Sequence, residues 1–164
     1  MLEVSIRVFS CVGKSALYPD YHEYLQLVQR DLGREVKAYM RETEDTEIHQ
    51  YYSLSPFYYL EIRFLKRMRA GSSVMCVSES AEDYAEGFPL PRIFQKWIYR
   101  YVRRFLNSLD FIVVSDIRVE DKLRTEGVNL PVFYTIPEKE AEGQMAKSRL
   151  WLELYRKMEN RCRV

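Results

Sequence analysis

From Leu2 to Phe9 the chain alternates Leu2, Val4, Ile6 and Val8 with Glu3, Ser5 and Arg7, the period of a strand with one face buried. A small-residue turn at Gly13-Lys14-Ser15 follows. Tyr21, Tyr24, Leu25, Val28 and Leu32 then recur at helical spacing until Gly33. Short apolar or β-branched runs return at Glu35 to Met40, Thr46 to Tyr52, Ser72 to Ser78, Phe111 to Val114 and Pro131 to Ile136, and each predicts a strand. Stretches of helical period separate them. Ser55 before Pro56 is a cap followed by a first-turn proline, Gly71 is the matching stop, and Phe57, Leu60, Ile62, Phe64, Leu65 and Met68 predict a mostly buried helix between them. A short helix with Val119 and Leu123 is expected between a Ser115 cap and Gly127, and a closing helix from Glu142 to Met158. Strands alternating with helices throughout imply right-handed crossovers and parallel pairing. The expected fold class is therefore α/β, a single Rossmann-like domain over residues 1–164, with a doubly wound, mostly parallel sheet of about six strands and helices on both faces.

The stretch from Pro89 to Ser115 stands out, because an amphipathic helix there runs directly into an apolar strand. Pro91 suits a first helical position, and Asn107 to Asp110 supplies turn residues. Spaced at roughly 100° per residue, Phe94, Trp97, Ile98, Tyr101 and Phe105 share one side, and Arg92, Lys96, Arg100 and Arg103 lie opposite, with Arg104 at the margin. A cationic helix face beside aromatic side chains can lie on an anionic membrane. A solvated face would show the same pattern.

Composition narrows the setting. The 164 residues are 47% hydrophobic and 30% charged, enough to bury one good core, and the formal net charge of +1 sets aside general polyanion binding. Nucleic acid is thus an unexpected partner, and attraction to any anionic surface must come from local clusters, of which Arg92 to Arg104 is the densest. No apolar run reaches the roughly 20 residues that span a bilayer, and the strand pattern at the N-terminus differs from a signal peptide, so a cytoplasmic location is expected, free or peripheral on the inner face of a membrane. Cys11, Cys76 and Cys162 are widely separated and fit neither a disulfide framework nor metal-ligand spacing. No metal is expected.

Ligands in α/β sheets bind beyond the carboxyl ends of strands, which directs attention to the loops there. Gly13 and Lys14 follow the first strand, although Val8 occupies the place where a phosphate loop needs glycine. His49 and Gln50 approach the end of the third, and Glu79, Ser80, Glu82 and Asp83 follow the fourth. Carboxylates so placed can bind sugar hydroxyls or act as a base; they equally suit a helix start. His49, Glu79, Glu82 and Asp83 are the candidate catalytic groups, and Gly13, Lys14, Gln50 and Ser80 the candidate acceptor-binding ones.

Three segments carry a family resemblance. YPDYHEYLQLVQRDLGREVKAYMR resembles a first helix and second strand, EIHQYYSLSPFYYLEIRFLKRMRAGSSVMCVSES the next strand, helix and strand, and FLNSLDFIVVSDIRVEDKLRTEGVNLPVFYTIP a run in which a strand ending in Ser leads through a short helix to a strand closing in Ile-Pro. In order and spacing they resemble the N-terminal, acceptor-side domain of GT-B-fold glycosyltransferases of family four, which use nucleotide-sugar donors. Gly13 stands alone where the family has a glycine pair, Cys76-Val77-Ser78-Glu79 lacks its usual histidine, and Glu138-Lys139-Glu140 replaces Asn-Gly. The family's donor-binding second domain has no counterpart in this sequence. The resemblance therefore implies acceptor recognition, no cofactor held by this chain, and sugar transfer only with a separate donor-binding partner chain; a lipid acceptor or anionic membrane and a homo-oligomer are further expected partners. A non-catalytic binding or assembly module built on the same fold is the alternative.

Overall fold

The computed structural model describes residues 2–7, 36–39, 47–114, 116–134 and 144–162. Within them the chain runs β1 (Leu2–Arg7), β2 (Val36–Tyr39), β3 (Ile48–Tyr51), α1 (Pro56–Met68), β4 (Ser72–Val77), α2 (Ala81–Glu86), α3 (Arg92–Ser108), β5 (Phe111–Val114), α4 (Ile117–Thr125), β6 (Val132–Tyr134) and α5 (Gln144–Cys162). The strands lie in the order β2-β1-β3-β4-β5-β6, and every neighbouring pair is parallel. The α/β class with a parallel sheet is as the alternation of strand and helix patterns predicts. The predicted helix Tyr21 to Leu32, the Gly13-Lys14-Ser15 turn, Cys11 and Ser115 lie outside the described residues.

All six residues of β4 are buried, so both faces of the sheet need cover. Pleating sends alternate side chains to opposite cores. Val74 and Cys76 join Ile48, Tyr52 and Val113 under Trp151, Leu154, Tyr155 and Met158 of α5. Met75 and Val77 join Tyr51, Ile112 and Val114 under Ile62 of α1 and Val102, Phe105 and Leu106 of α3. Each such side chain contributes about 1.5–3 kcal/mol relative to leaving it exposed.

At the amino ends of β4 and β5 the strands are fastened by Asp110. Its carboxylate Oδ2 accepts from the Ser73 backbone N–H at 2.8 Å and the Ser73 hydroxyl at 2.7 Å. The Asp110 N–H returns a bond to the Ser73 carbonyl at 3.0 Å, and Lys66 reaches Asp110 at 3.2 Å and the Leu109 carbonyl at 2.8 Å. This one carboxylate thereby joins β4, β5 and the last turn of α1.

Four details differ from the sequence-based expectations. The left-handed residue that ends α1 is Arg69, with φ 55°, and Gly71 follows beyond it with φ 71°. Pro91 caps α3 from outside it, and Asp116 caps α4, accepting from the Arg118 N–H at 2.8 Å. The acidic segment after β4, by contrast, takes the helix start it equally suits, as α2. Most consequentially, α1 is not mostly buried: only Ile62 and Leu65 are, while Phe57, Leu60, Phe64 and Met68 stand in solvent.

Replacing Asp110 by Ala strips the acceptor from the buried Ser73 N–H and hydroxyl, and is expected to lower unfolding stability by about 1–3 kcal/mol in urea titration. A loss within error of zero would show that the fastening carries no weight.

Candidate functional site

Helix α3 is built as two halves. Its entry is set by the Pro91 carbonyl, which accepts from Phe94 N–H at 2.9 Å and Gln95 N–H at 3.2 Å, while the Gln95 side-chain amide donates to the Phe88 carbonyl at 3.1 Å. Its C-terminal half is anchored by Val102, Phe105 and Leu106. At the join, the Tyr101 hydroxyl donates to the Leu54 carbonyl at 2.7 Å, and its ring meets Tyr59 of α1 edge-on at 6.3 Å. Burial, with smaller contributions from Tyr59 and Tyr84, pushes that hydroxyl's pKa up to about 12, so it stays a donor at neutral pH.

Upstream of Tyr101 the helix has α2, and not the sheet, as its packing partner. Nine residues separate Tyr101 from Arg92, so roughly 13 Å of helix extends past the start of α1, over the carboxyl edge of the sheet. Leu90, just before the helix, and Ile93, Phe94 and Trp97 on this overhang are 44%, 63%, 56% and 70% exposed. The aromatic side expected from the helical period is therefore not one core face: Phe105 is buried, Ile98 and Tyr101 are half-buried, and Phe94 and Trp97 are outside because the sheet ends beneath them. Arg92, Lys96, Arg100, Arg103 and Arg104 are all exposed, and among the described residues none forms an ion pair. From Arg92 to Ser108 the helix carries no carboxylate at all.

The polar candidates at the sheet end up in different places. His49 and Gln50 are not at a strand end; they sit inside β3, opposite Ser73 and Val74, and both are buried. Gln50 faces α5, where its amide donates to the Tyr52 hydroxyl and its carbonyl accepts from the Tyr155 hydroxyl. It is part of a buried network that ties β3 to α5, and not part of a ligand loop. Gly13 and Lys14 lie outside the described residues.

Glu79, Ser80, Glu82 and Asp83 do gather at one edge, but helix α2 takes three of them, Ser80 as its cap and Glu82 and Asp83 in its first turn. The Ser80 hydroxyl accepts from the Asp83 N–H at 3.1 Å and donates to the Asp83 carboxylate at 2.9 Å, capping α2. Lys122 of α4 grips both Asp83 oxygens at 2.9 and 2.8 Å. Glu126 of the α4 C-cap accepts from the Ala81 and Glu82 N–H groups at 3.0 and 3.1 Å. The hydrogen bond from Lys122 outweighs slight burial and, with Ser80, holds the Asp83 carboxyl below the usual carboxylate range. A carboxylate so paired is a poor proton acceptor. Glu82 is exposed, and Glu79 is half-buried, its charge adding to the burial that pushes the Tyr84 hydroxyl to about 12. Lys122 and Glu126 were not singled out in the sequence, since they act across 39 and 44–45 residues and no local spacing marks them.

Among the described residues no cluster of His, Cys, Asp and Glu is arranged to hold a metal, and no helix is long and apolar enough to cross a membrane.

Because the Asp83 pKa is depressed in the folded chain, its contribution to stability is present above the unfolded value and is lost as pH falls through the folded one. Asp83→Asn is thus expected to lower the thermal midpoint at pH 7, with the gap to the parent narrowing below about pH 4 and closing in stronger acid. A gap independent of pH would refute the pairing with Lys122. Compared with known proteins, the chain matches no family model, no curated protein and no solved structure.

Proposed function

We propose that this chain is a Rossmann-like, doubly wound α/β module that attaches to an anionic membrane surface through α3. The observation that carries the reading is the overhang itself. Leu90, Ile93, Phe94 and Trp97 stand exposed beside five exposed cations, with no carboxylate along the helix. Such a helix lowers its free energy by sinking its apolar side chains to the acyl boundary while its Lys and Arg stems reach outward to the head groups. The leaflet with this charge is the cytoplasmic one, where each nearby Lys or Arg contributes about 1 kcal/mol. The near-neutral whole chain fits a local, surface-specific attraction better than general polyanion binding.

The doubly wound reading is supported by the strand order, in which β2 and β3 flank β1 and the direction of strand addition reverses. In the glycosyltransferase reading that the segment resemblance suggests, the carboxyl edge beneath the overhang presents an acceptor, lipid-linked for a membrane-bound chain. Transfer from a nucleotide sugar then belongs to a complex with a donor-binding chain, since neither half alone aligns the reacting atoms. The burial of His49 and the pairing of Asp83 favour this division of labour, with the exposed Glu82 the carboxylate of that edge placed for acceptor contacts.

Flotation with vesicles of phosphatidylcholine and phosphatidylserine tests the membrane reading. The chain is expected to float with anionic vesicles, to be released by salt, and to ignore pure phosphatidylcholine. Changing Arg92, Lys96, Arg100 and Arg103 together to Gln is expected to weaken binding on the order of several hundred-fold. Failure of the unmodified chain to float at low salt would sink the proposal.

A further inference from the structure

A second apolar stripe lies on α1, and it is one the core does not use. Phe57, Leu60, Phe64 and Met68 are 72%, 63%, 62% and 61% exposed. At roughly 100° per residue they fall within an arc of about 80°, and Leu60, Phe64 and Met68 form a continuous i, i+4 ridge. Single exposed apolar residues need no explanation; four aligned on a helix of 13 residues mark a surface that is covered in use.

The relation of this stripe to α3 follows from the contacts between the helices. Tyr59 meets Tyr101, and Lys66 meets Leu109 and Asp110, so α1 and α3 run side by side in the same direction on one face of the sheet. Around α1, the stripe is turned about 125° from the sheet-facing pair Ile62 and Leu65. Around α3, Ile93, Phe94 and Trp97 are turned by about the same angle, in the same sense, from Val102, Phe105 and Leu106. Parallel neighbours with equal rotation present their stripes in the same direction.

Charge selects what covers them. Arg63 and Arg67 on α1 and Arg69 at its C-terminal end are exposed, and the helix's one carboxylate, Glu61, is half-buried and accepts from the Tyr51 hydroxyl at 2.8 Å. With the five cations of α3 beside them, a second copy docked on this face would set cations against cations, whereas an anionic bilayer would be attracted. We infer that α1 is a second membrane contact, and that the Phe57-Leu60-Phe64-Met68 stripe and the α3 overhang enter one anionic lipid surface together. The inference rests on the membrane reading of α3 and adds to it an orientation. Two parallel contacts fix how that face of the α/β layer is inclined to the bilayer, where a single helix would leave the molecule free to roll about its axis.

The test compares three proteins on the same phosphatidylcholine and phosphatidylserine vesicles: the unmodified chain, Leu60→Gln with Phe64→Gln, and Ile93→Gln with Trp97→Gln. The α1 pair is expected to weaken binding by about tenfold or more, with unchanged far-ultraviolet circular dichroism because both positions are exposed. Independently, Phe64→Trp combined with Trp97→Phe places a reporter on α1, and its emission is expected to be quenched by lipids brominated along the acyl chain; Trp151 is buried and supplies a constant background. Binding unchanged by the α1 pair but reduced by the α3 pair, with no bromolipid quenching from α1, would overturn the inference and leave the α3 reading standing. Loss of all vesicle binding by the unmodified chain would overturn both. A dimer in light scattering that the α1 pair converts to monomer, with vesicle affinity unaltered, would assign the stripe to self-association instead.

Discussion

A parallel strand buried along its whole length is the constraint on which the rest of this structure depends. β4 has every residue inside, from Ser72 to Val77, so neither side of the sheet can face water at its centre. Helices must cover both sides, and the helices that do so become committed along one stripe each. α5 meets this need through Trp151, Leu154, Tyr155 and Met158, and α3 through Val102, Phe105 and Leu106. What each helix carries beyond that stripe is left for other work, and this is why the surplus apolar residues of α1 and α3 are informative.

The same constraint explains the fate of the polar residues. Inside a covered sheet a polar side chain needs a partner, and Gln50 finds two tyrosine hydroxyls, one on its own strand and one on α5. At the rim the first turn of α2 leaves backbone N–H groups to satisfy, and Ser80 and Glu126 satisfy them. Lys122 then neutralises Asp83. Residues that read as candidate chemistry because they are polar and follow a strand are held in place by the ordinary requirements of strand and helix ends.

The membrane-facing proposal rests on a different kind of observation, a surplus that internal packing does not absorb. α3 is longer than the sheet beneath it, and its overhang joins exposed apolar side chains to unopposed cations. α1 repeats the combination alongside. Two helices with equally rotated stripes offer a broad shallow face, the shape suited to a bilayer, and the absence of exposed acid on either helix gives that face a sign.

Much of this fold was legible in the chain by itself. Local chemistry is enough to mark the alternation in Leu2 to Arg7, the Ser55-Pro56 helix start, the basic helix after Pro91 and the apolar run Phe111 to Val114, since each signal acts within a few residues. The pattern also reveals that α1 and α3 carry apolar residues at helical spacing. It cannot say which of them meet the sheet. A helix with a wide apolar arc looks the same whether that arc is buried or split between core and surface, and only the placement of Ile62 and Leu65 inward turns Phe57, Leu60, Phe64 and Met68 outward. Likewise the length of α3 is written in its sequence, but the overhang exists only because the sheet stops near Tyr101. The clasp of Lys122 and Glu126 on α2, and of Asp110 on Ser73, spans 37 to 45 residues of chain, and such pairs are decided by tertiary packing alone.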